Sequence, residues 1–139
     1  MPTDAVTALL TRVEFFVTDL DRTIAFYERL GFVLVTRWEG WALIERGGSR
    51  LALQHDAYAR DHEHYFTPHL DQFPRGVGVE TCVDVADIDD LQALYATATE
   101  LGVVVRELRA RPWGATDFRI ADPDGYFVRF TTPLGDLDQ

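Results

Sequence analysis

Apolar and polar positions alternate with a period of two in several short stretches of this chain, and with a helical period in two longer ones. "RVEFFV" at 12–17 puts Val13, Phe15 and Val17 on one side of a strand and Arg12, Glu14 and Phe16 on the other. The reason is geometric: successive strand side chains point to opposite faces. "GVETCVDV" at 78–85 turns Val79, Val83 and Val85 toward a core and Glu80, Cys82 and Asp84 away from it. Near 50–55, Leu51 and Leu53 point inward, with Ala52 and Gln54 opposite. In "RIADPDGYFVRF" at 119–130, the turn signal Asp122-Pro123-Asp124-Gly125 precedes a strand that turns Val128 and Phe130 inward and Phe127 and Arg129 outward. Further strands are predicted at 32–38, 41–46, 103–109 and 115–121, and the last strand at 126–132.

Leu20, Ile24, Tyr27 and Leu30 recur at helical spacing, with Asp19 as N-cap and Gly31 as stop. Ile88, Leu91, Leu94, Tyr95 and Leu101 do the same between Asp87 and Gly102. The two helices belong to a repeat: "VTDLDRTIAFYERLGFVLV" (17–35) is echoed by "VADIDDLQALYATATELGVVV" (85–105). Each half reads β-α-β-β-β, which predicts an α+β protein. The expected organisation is a single domain over 1–139 made of two pseudo-repeats, about 11–56 and 76–133. Residues 57–75 form the long connection. Its Tyr58, Tyr65, Phe66 and Phe73 argue that it packs on something, and "PLGDLDQ" at the end reads as a loose tail.

Composition narrows the function. Thirteen basic against 23 acidic residues give a formal charge of −10, so the chain lacks the basic face that nucleic acid needs. No apolar run approaches the roughly 18 residues that span a bilayer. The opening "MPTDAVTALL" lacks the pattern of a signal peptide, and one cysteine excludes an internal disulfide framework. These readings predict a cytoplasmic protein without nucleic-acid or membrane partners.

The paired modules, together with "DLDRTIAFYERLGF" and "PWGATDFRIADPDGYFVRF", resemble the vicinal oxygen chelate superfamily, which includes glyoxalase I, extradiol dioxygenases and bleomycin-resistance proteins. "FYERLGFVLVTRWEGWALIERG" looks closest to the bleomycin-resistance branch. The resemblance implies that the sheet face opposite the helices cups a ligand, in a homodimer. That face collects Arg12, Glu14, Phe16, Gln54, Glu80, Asp84, Phe127 and Arg129. The resemblance also assigns the metal-ligand positions of the metal enzymes to Arg12, Gln54, Glu80 and Arg129. Arginine has no lone pair for a metal, so no metal and no cofactor is expected.

The remaining candidates each carry two readings. His62 and His64 in "DHEHY", near His55 and His69, form a chelating pair only if a third ligand converges; otherwise they are surface histidines. Cys82 is a nucleophile on the cavity face or a buried packing residue, and packing is the commoner role. Trp38, Trp41 and Trp113 are core residues or flat walls for a planar or cationic ligand, with Trp113 best placed for a lip. The leading expectation is a small-molecule binding protein that sequesters a cationic or zwitterionic aromatic ligand without changing it. The alternative is a metal-independent lyase or isomerase with Glu80 or Glu14 as base and Arg12 or Arg129 holding an oxyanion. A metal-dependent glyoxalase or dioxygenase comes last.

Overall fold

Asp19 and Asp87 start the two helices that the periodicity predicts. In the computed structural model, which describes residues 11–133, the Asp19 carboxylate accepts from the Arg22 N–H at 3.0 Å and Asp87 from the Asp90 N–H at 2.8 Å. Each bond satisfies a backbone donor that the first helical turn leaves unpaired. Asp87→Ala is therefore expected to lower stability by about 1 kcal/mol, read as an earlier midpoint in urea unfolding at unchanged slope.

The chain divides into two compact units, Met1–Gln72 and Phe73–Gln139. The first contains β1 (Val13–Val17), α1 (Leu20–Arg29), β2 (Val33–Trp38), β3 (Trp41–Arg46), β4 (Ser49–His55), a short helix α2 (Asp56–Asp61) and a 3-10 turn at Thr67–His69. The second contains β5 (Glu80–Asp84), α3 (Ile88–Leu101), β6 (Val104–Ala110), β7 (Thr116–Ala121) and β8 (Phe127–Thr131). Each unit folds one four-stranded mixed sheet, in the order β1-β4-β3-β2 and β5-β8-β7-β6. The first strand of each unit pairs parallel with the last, and the other neighbours are antiparallel. The predicted β-α-β-β-β plan is thus present twice, in an α+β fold.

One face of each sheet is covered by its helix. Leu20, Ile24, Tyr27 and Leu30 are buried with Phe15, Val17, Leu51 and Leu53, while Leu91, Leu94 and Ala98 are buried with Val83, Phe118, Ile120, Val128 and Phe130. Three apolar positions depart from the expected pattern. Val79 is 64% exposed, because a turn in which its N–H bonds Gly76 O delays the ladder until Glu80 pairs with Phe127. Ile88 is exposed at the first helical position, ahead of the buried stripe that begins at Leu91, and Val13 stays partly exposed at the end of β1. The connection 57–75 is not a plain loop either, since it carries most of α2 and the 3-10 turn. Leu70 and Ala59 are buried there, but Tyr58, Tyr65 and Phe73 stay exposed. Of the tail "PLGDLDQ", residues 134–139 lie outside the described residues, as does the opening segment 1–10.

The turn at Asp122–Gly125 shows why that sequence is so constrained. Asp122 Oδ1 accepts from the N–H groups of Asp124 and Tyr126, both at 3.0 Å, and both aspartates are buried. Gly125 has φ +83°, and a Cβ there would come within 2.5 Å of Pro74 Cβ. Residues 75 and 76 bond along the turn, Arg75 N–H to Asp124 O and Gly76 N–H to Gly125 O.

Candidate functional site

Strand register sets which side chains share the face away from the helix, since directly paired residues point the same way. In the first unit Gln54 is flanked by Phe16 on β1 and Trp41 on β3, Ala52 is flanked by Glu14 and Leu43, and Trp38 pairs with Trp41. Trp41, Leu43 and Ala52 are buried together, with Val35 against them. Trp38 lies on Trp41, ring centres 5.0 Å apart and planes 28° from parallel, and keeps its outer side in solvent. The Arg12 guanidinium sits 5.8 Å from the Trp41 ring, within cation–π range, and 3.8 Å from the Glu14 carboxylate. Arg50 pairs with Glu45 at 3.1 Å on the same face. Gln54 donates its amide N–H to Gly40 O at 2.8 Å, which fastens the β2–β3 turn. Phe16 packs edge-on to Phe66, 4.6 Å away.

The second unit's face is charged. Paired rows put Cys82, Arg129 and Arg119 side by side, then Asp84, Thr131 and Asp117, and then Glu80, Phe127 and Ala121. Glu80 bridges two arginines, with Arg119 Nε at 2.8 Å and Arg129 Nε at 3.0 Å. Asp117 is 0% exposed and accepts from Arg111 Nε at 2.7 Å and Arg119 Nη1 at 3.4 Å. Its other oxygen has no hydrogen-bond partner among the described residues, and Arg129 Nη1 lies 3.8 Å from it. Arg129 also donates to the Cys82 sulfur, at 2.9 Å from Nη2 and 3.3 Å from Nε. Desolvation pulls the Arg129 guanidinium down, but Cys82, Glu80 and Asp117 outweigh it and hold the group above its ordinary value. Three guanidinium groups thus share two carboxylates and a thiol.

The candidate residues read from sequence therefore fall into two sets. Arg12, Glu14, Phe16, Trp38, Trp41 and Gln54 line the first unit's face, and Glu80, Asp84, Phe127 and Arg129 the second's. Trp113 belongs to neither row: it stands about half exposed in the β6–β7 turn, which Gly114 N–H closes onto Arg111 O. Alternation does not mean exposure, because Ala52 and Gln54 are buried on the face where they point. Cys82 is not a buried packing residue; it is exposed and bonded to Arg129.

The histidines serve separate local roles. His55 accepts the Ala57 N–H and caps α2, and His62 stacks on Tyr58. His64 is not a plain surface residue, since its ring is wedged between Phe66 and Tyr65. Among the described residues no three His, Cys, Asp or Glu side chains are grouped to hold a metal ion. Sequence reasoning missed Arg111, Asp117 and Arg119, the centre of the charged network. The signal was available for two of them: Phe118 and Ile120 point inward on β7, so Asp117 and Arg119 must share a face with Arg129.

A model described as the glyoxalase/bleomycin resistance protein/dioxygenase superfamily matches residues 9–130. A bleomycin resistance protein of Klebsiella pneumoniae is 31% identical over 119 residues, covering 80% of this chain and 82% of that one. Among solved structures, a bleomycin resistance determinant encoded on the transposon Tn5 is 25% identical, with a TM-score of 0.65 over 90% of this chain and 98% of that one. A bleomycin-binding protein complexed with bleomycin is 27% identical, with a TM-score of 0.62 over 91% and 99%. The chain belongs to the glyoxalase/bleomycin resistance protein/dioxygenase superfamily.

Proposed function

We propose that this protein sequesters a cationic or zwitterionic aromatic small molecule of the bleomycin type, as a homodimer, without a bound metal and without turning the ligand over. One observation carries the reading: the side chains at the superfamily's metal positions are engaged in other bonds. Arg12 lies over Trp41, the Gln54 amide holds Gly40, Glu80 holds two arginines, and Arg129 is bonded to Cys82. This donor set does not fit a divalent cation, which needs several free oxygen or nitrogen lone pairs.

What the first unit offers is a stacked tryptophan pair with one side in solvent, with Arg12 and its partner Glu14 beside Trp41 and the Arg50–Glu45 pair two rows further along the same face. A flat, positively charged ligand gains there from stacking and cation–π attraction, about 0.5–2 kcal/mol per ring. The net charge of −10 favours its approach at long range. The relatives that bind or resist bleomycin support the ligand class. Exposed Val33 and Leu34 on β2 supply apolar surface for a second copy. An enzymatic role for Glu80 loses ground, because its carboxylate is occupied by Arg119 and Arg129.

Bleomycin titrated into chelator-treated protein is expected to quench tryptophan fluorescence to saturation, with the drug recovered unchanged by mass spectrometry. Quenching that appears only after zinc, iron or manganese is restored, or recovery of a modified drug, would overturn the reading. A sedimenting monomer at micromolar concentration would remove the dimer alone.

A further inference from the structure

The segment after β4 holds groups that the two sheet faces do not use. Arg60, Glu63, His64, Tyr65, Thr67 and Asp71 line a hollow of about 530 Å³, within the range of small-molecule sites. One carbonyl ties two of the lining residues together: Ala59 O accepts from the His64 N–H at 2.9 Å and from the Thr67 hydroxyl at 3.0 Å. Glu63 adopts φ +49°, a left-handed conformation that residues with a β-carbon seldom take.

The rings are set with equal definition. His64 lies 3.9 Å from Phe66 and 4.3 Å from Tyr65, between ring centres. Its Nδ1 is buried with no hydrogen-bond partner, so a hydrogen there would have no acceptor. The ring's remaining nitrogen, Nε2, has no hydrogen-bond partner among the described residues and is the atom left to meet a ligand. Tyr65 is 85% exposed, a large aromatic surface held against His64 and uncovered on its other side. Of the charges, Asp71 is tied to Arg60 at 3.1 Å, whereas the Glu63 carboxylate has no ion pair among the described residues. Two carboxylates face one guanidinium.

We propose that this hollow is a binding site for a small aromatic amine that also carries a hydrogen-bond acceptor. The ring lies on Tyr65, the ammonium faces Glu63, and an oxygen accepts from His64 Nε2. The site shares no residue with the bleomycin-type site proposed above and does not rest on it.

The test uses the full-length protein labelled with ¹⁵N and follows the imidazole nitrogens, with His64→Gln assigning the His64 signals. Tyramine is the probe, and 4-hydroxyphenylacetate, with the same ring and hydroxyl but the opposite charge, is the control. Tyramine is expected to shift the His64 signals saturably. Glu63→Gln should weaken it about fivefold, the worth of one exposed charge pair, and Tyr65→Ala at least as much. The carboxylate control should bind about tenfold or more weakly, since it meets Glu63 with like charge. Trp38→Ala should leave tyramine binding unchanged, which separates this site from the bleomycin-type one. His64 signals that stay still in millimolar tyramine, equal binding of the two probes, or unchanged affinity in Glu63→Gln would each overturn the proposal. Circular dichroism confirms that the exposed substitutions leave the fold intact.

Discussion

Asp117→Ala is expected to lower the stability of the protein by about 3–5 kcal/mol, the cost of removing one partner from a buried ion-pair network. Asp117 is fully buried, and it faces Arg111, Arg119 and Arg129 at 2.7, 3.4 and 3.8 Å. Without it Arg119 and Arg129 are left with Glu80 alone, and Arg111 loses the carboxylate it now holds. Arg111 is itself mostly buried, so water cannot take over its hydrogen bonds fully. Asp117→Asn should fall between wild type and alanine. The amide oxygen can still accept from Arg111 and Arg119, but an amide N–H would then face Arg129 with two donors and no acceptor. Urea unfolding of the three proteins measures the order. An alanine variant within about 1 kcal/mol of wild type would show that the network is as well solvated as a surface pair.

The strand plan and the helices were legible because local signals agreed. Asp19 and Asp87 cap where periodic apolar runs begin, and the Asp122–Gly125 turn uses its aspartate and its glycine as the spacing implies. Alternation also sorted Arg12, Glu14, Gln54, Glu80 and Arg129 onto the faces where they lie. Alternation reports direction, however, and not depth. Gln54 and Ala52 point away from the helix yet are buried, because Trp41, Leu43 and Phe16 stand beside them.

Pairing partners were not legible. That Arg129 bonds Cys82 and Glu80, 47 and 49 residues before it, depends on β5 lying parallel to β8, which no local signal encodes. The same holds for His64, whose surroundings come from Phe16 on β1 as well as from its own segment. The aromatics Tyr65 and Phe66 that follow it signal packing, but nothing local names Phe16 as the partner, and the polar run Asp61–Glu63 before it reads as surface.

Trp38→Ala is expected to weaken bleomycin binding by about 1.5–2.5 kcal/mol, roughly 10- to 70-fold, while changing stability little. Trp38 and Trp41 form one stacked pair, but they do different work. Trp41 is 8% exposed and packs with Leu43, Ala52 and Val35, so its removal opens a cavity and costs stability whatever it does to binding. Trp38 is about half exposed, stands at the end of edge strand β2, and presents the outer ring of the stack. Truncating it removes the surface a flat ligand would cover and leaves the core beneath in place. Arg37 beside it is held by Asp21 at 2.6 Å, so the strand end keeps an anchor in the variant. The remaining Trp41 and Trp113 still report quenching, and each titration should be run at two salt concentrations. Long-range steering weakens as the Debye length falls from about 10 Å at 0.1 M to about 3 Å at 1 M, whereas stacking persists. Wild type and Trp38→Ala should therefore lose affinity with salt in parallel, keeping a constant gap. A gap that closes in high salt would mean that Trp38 acts through the local field, and an absent gap would move the ligand off this face altogether.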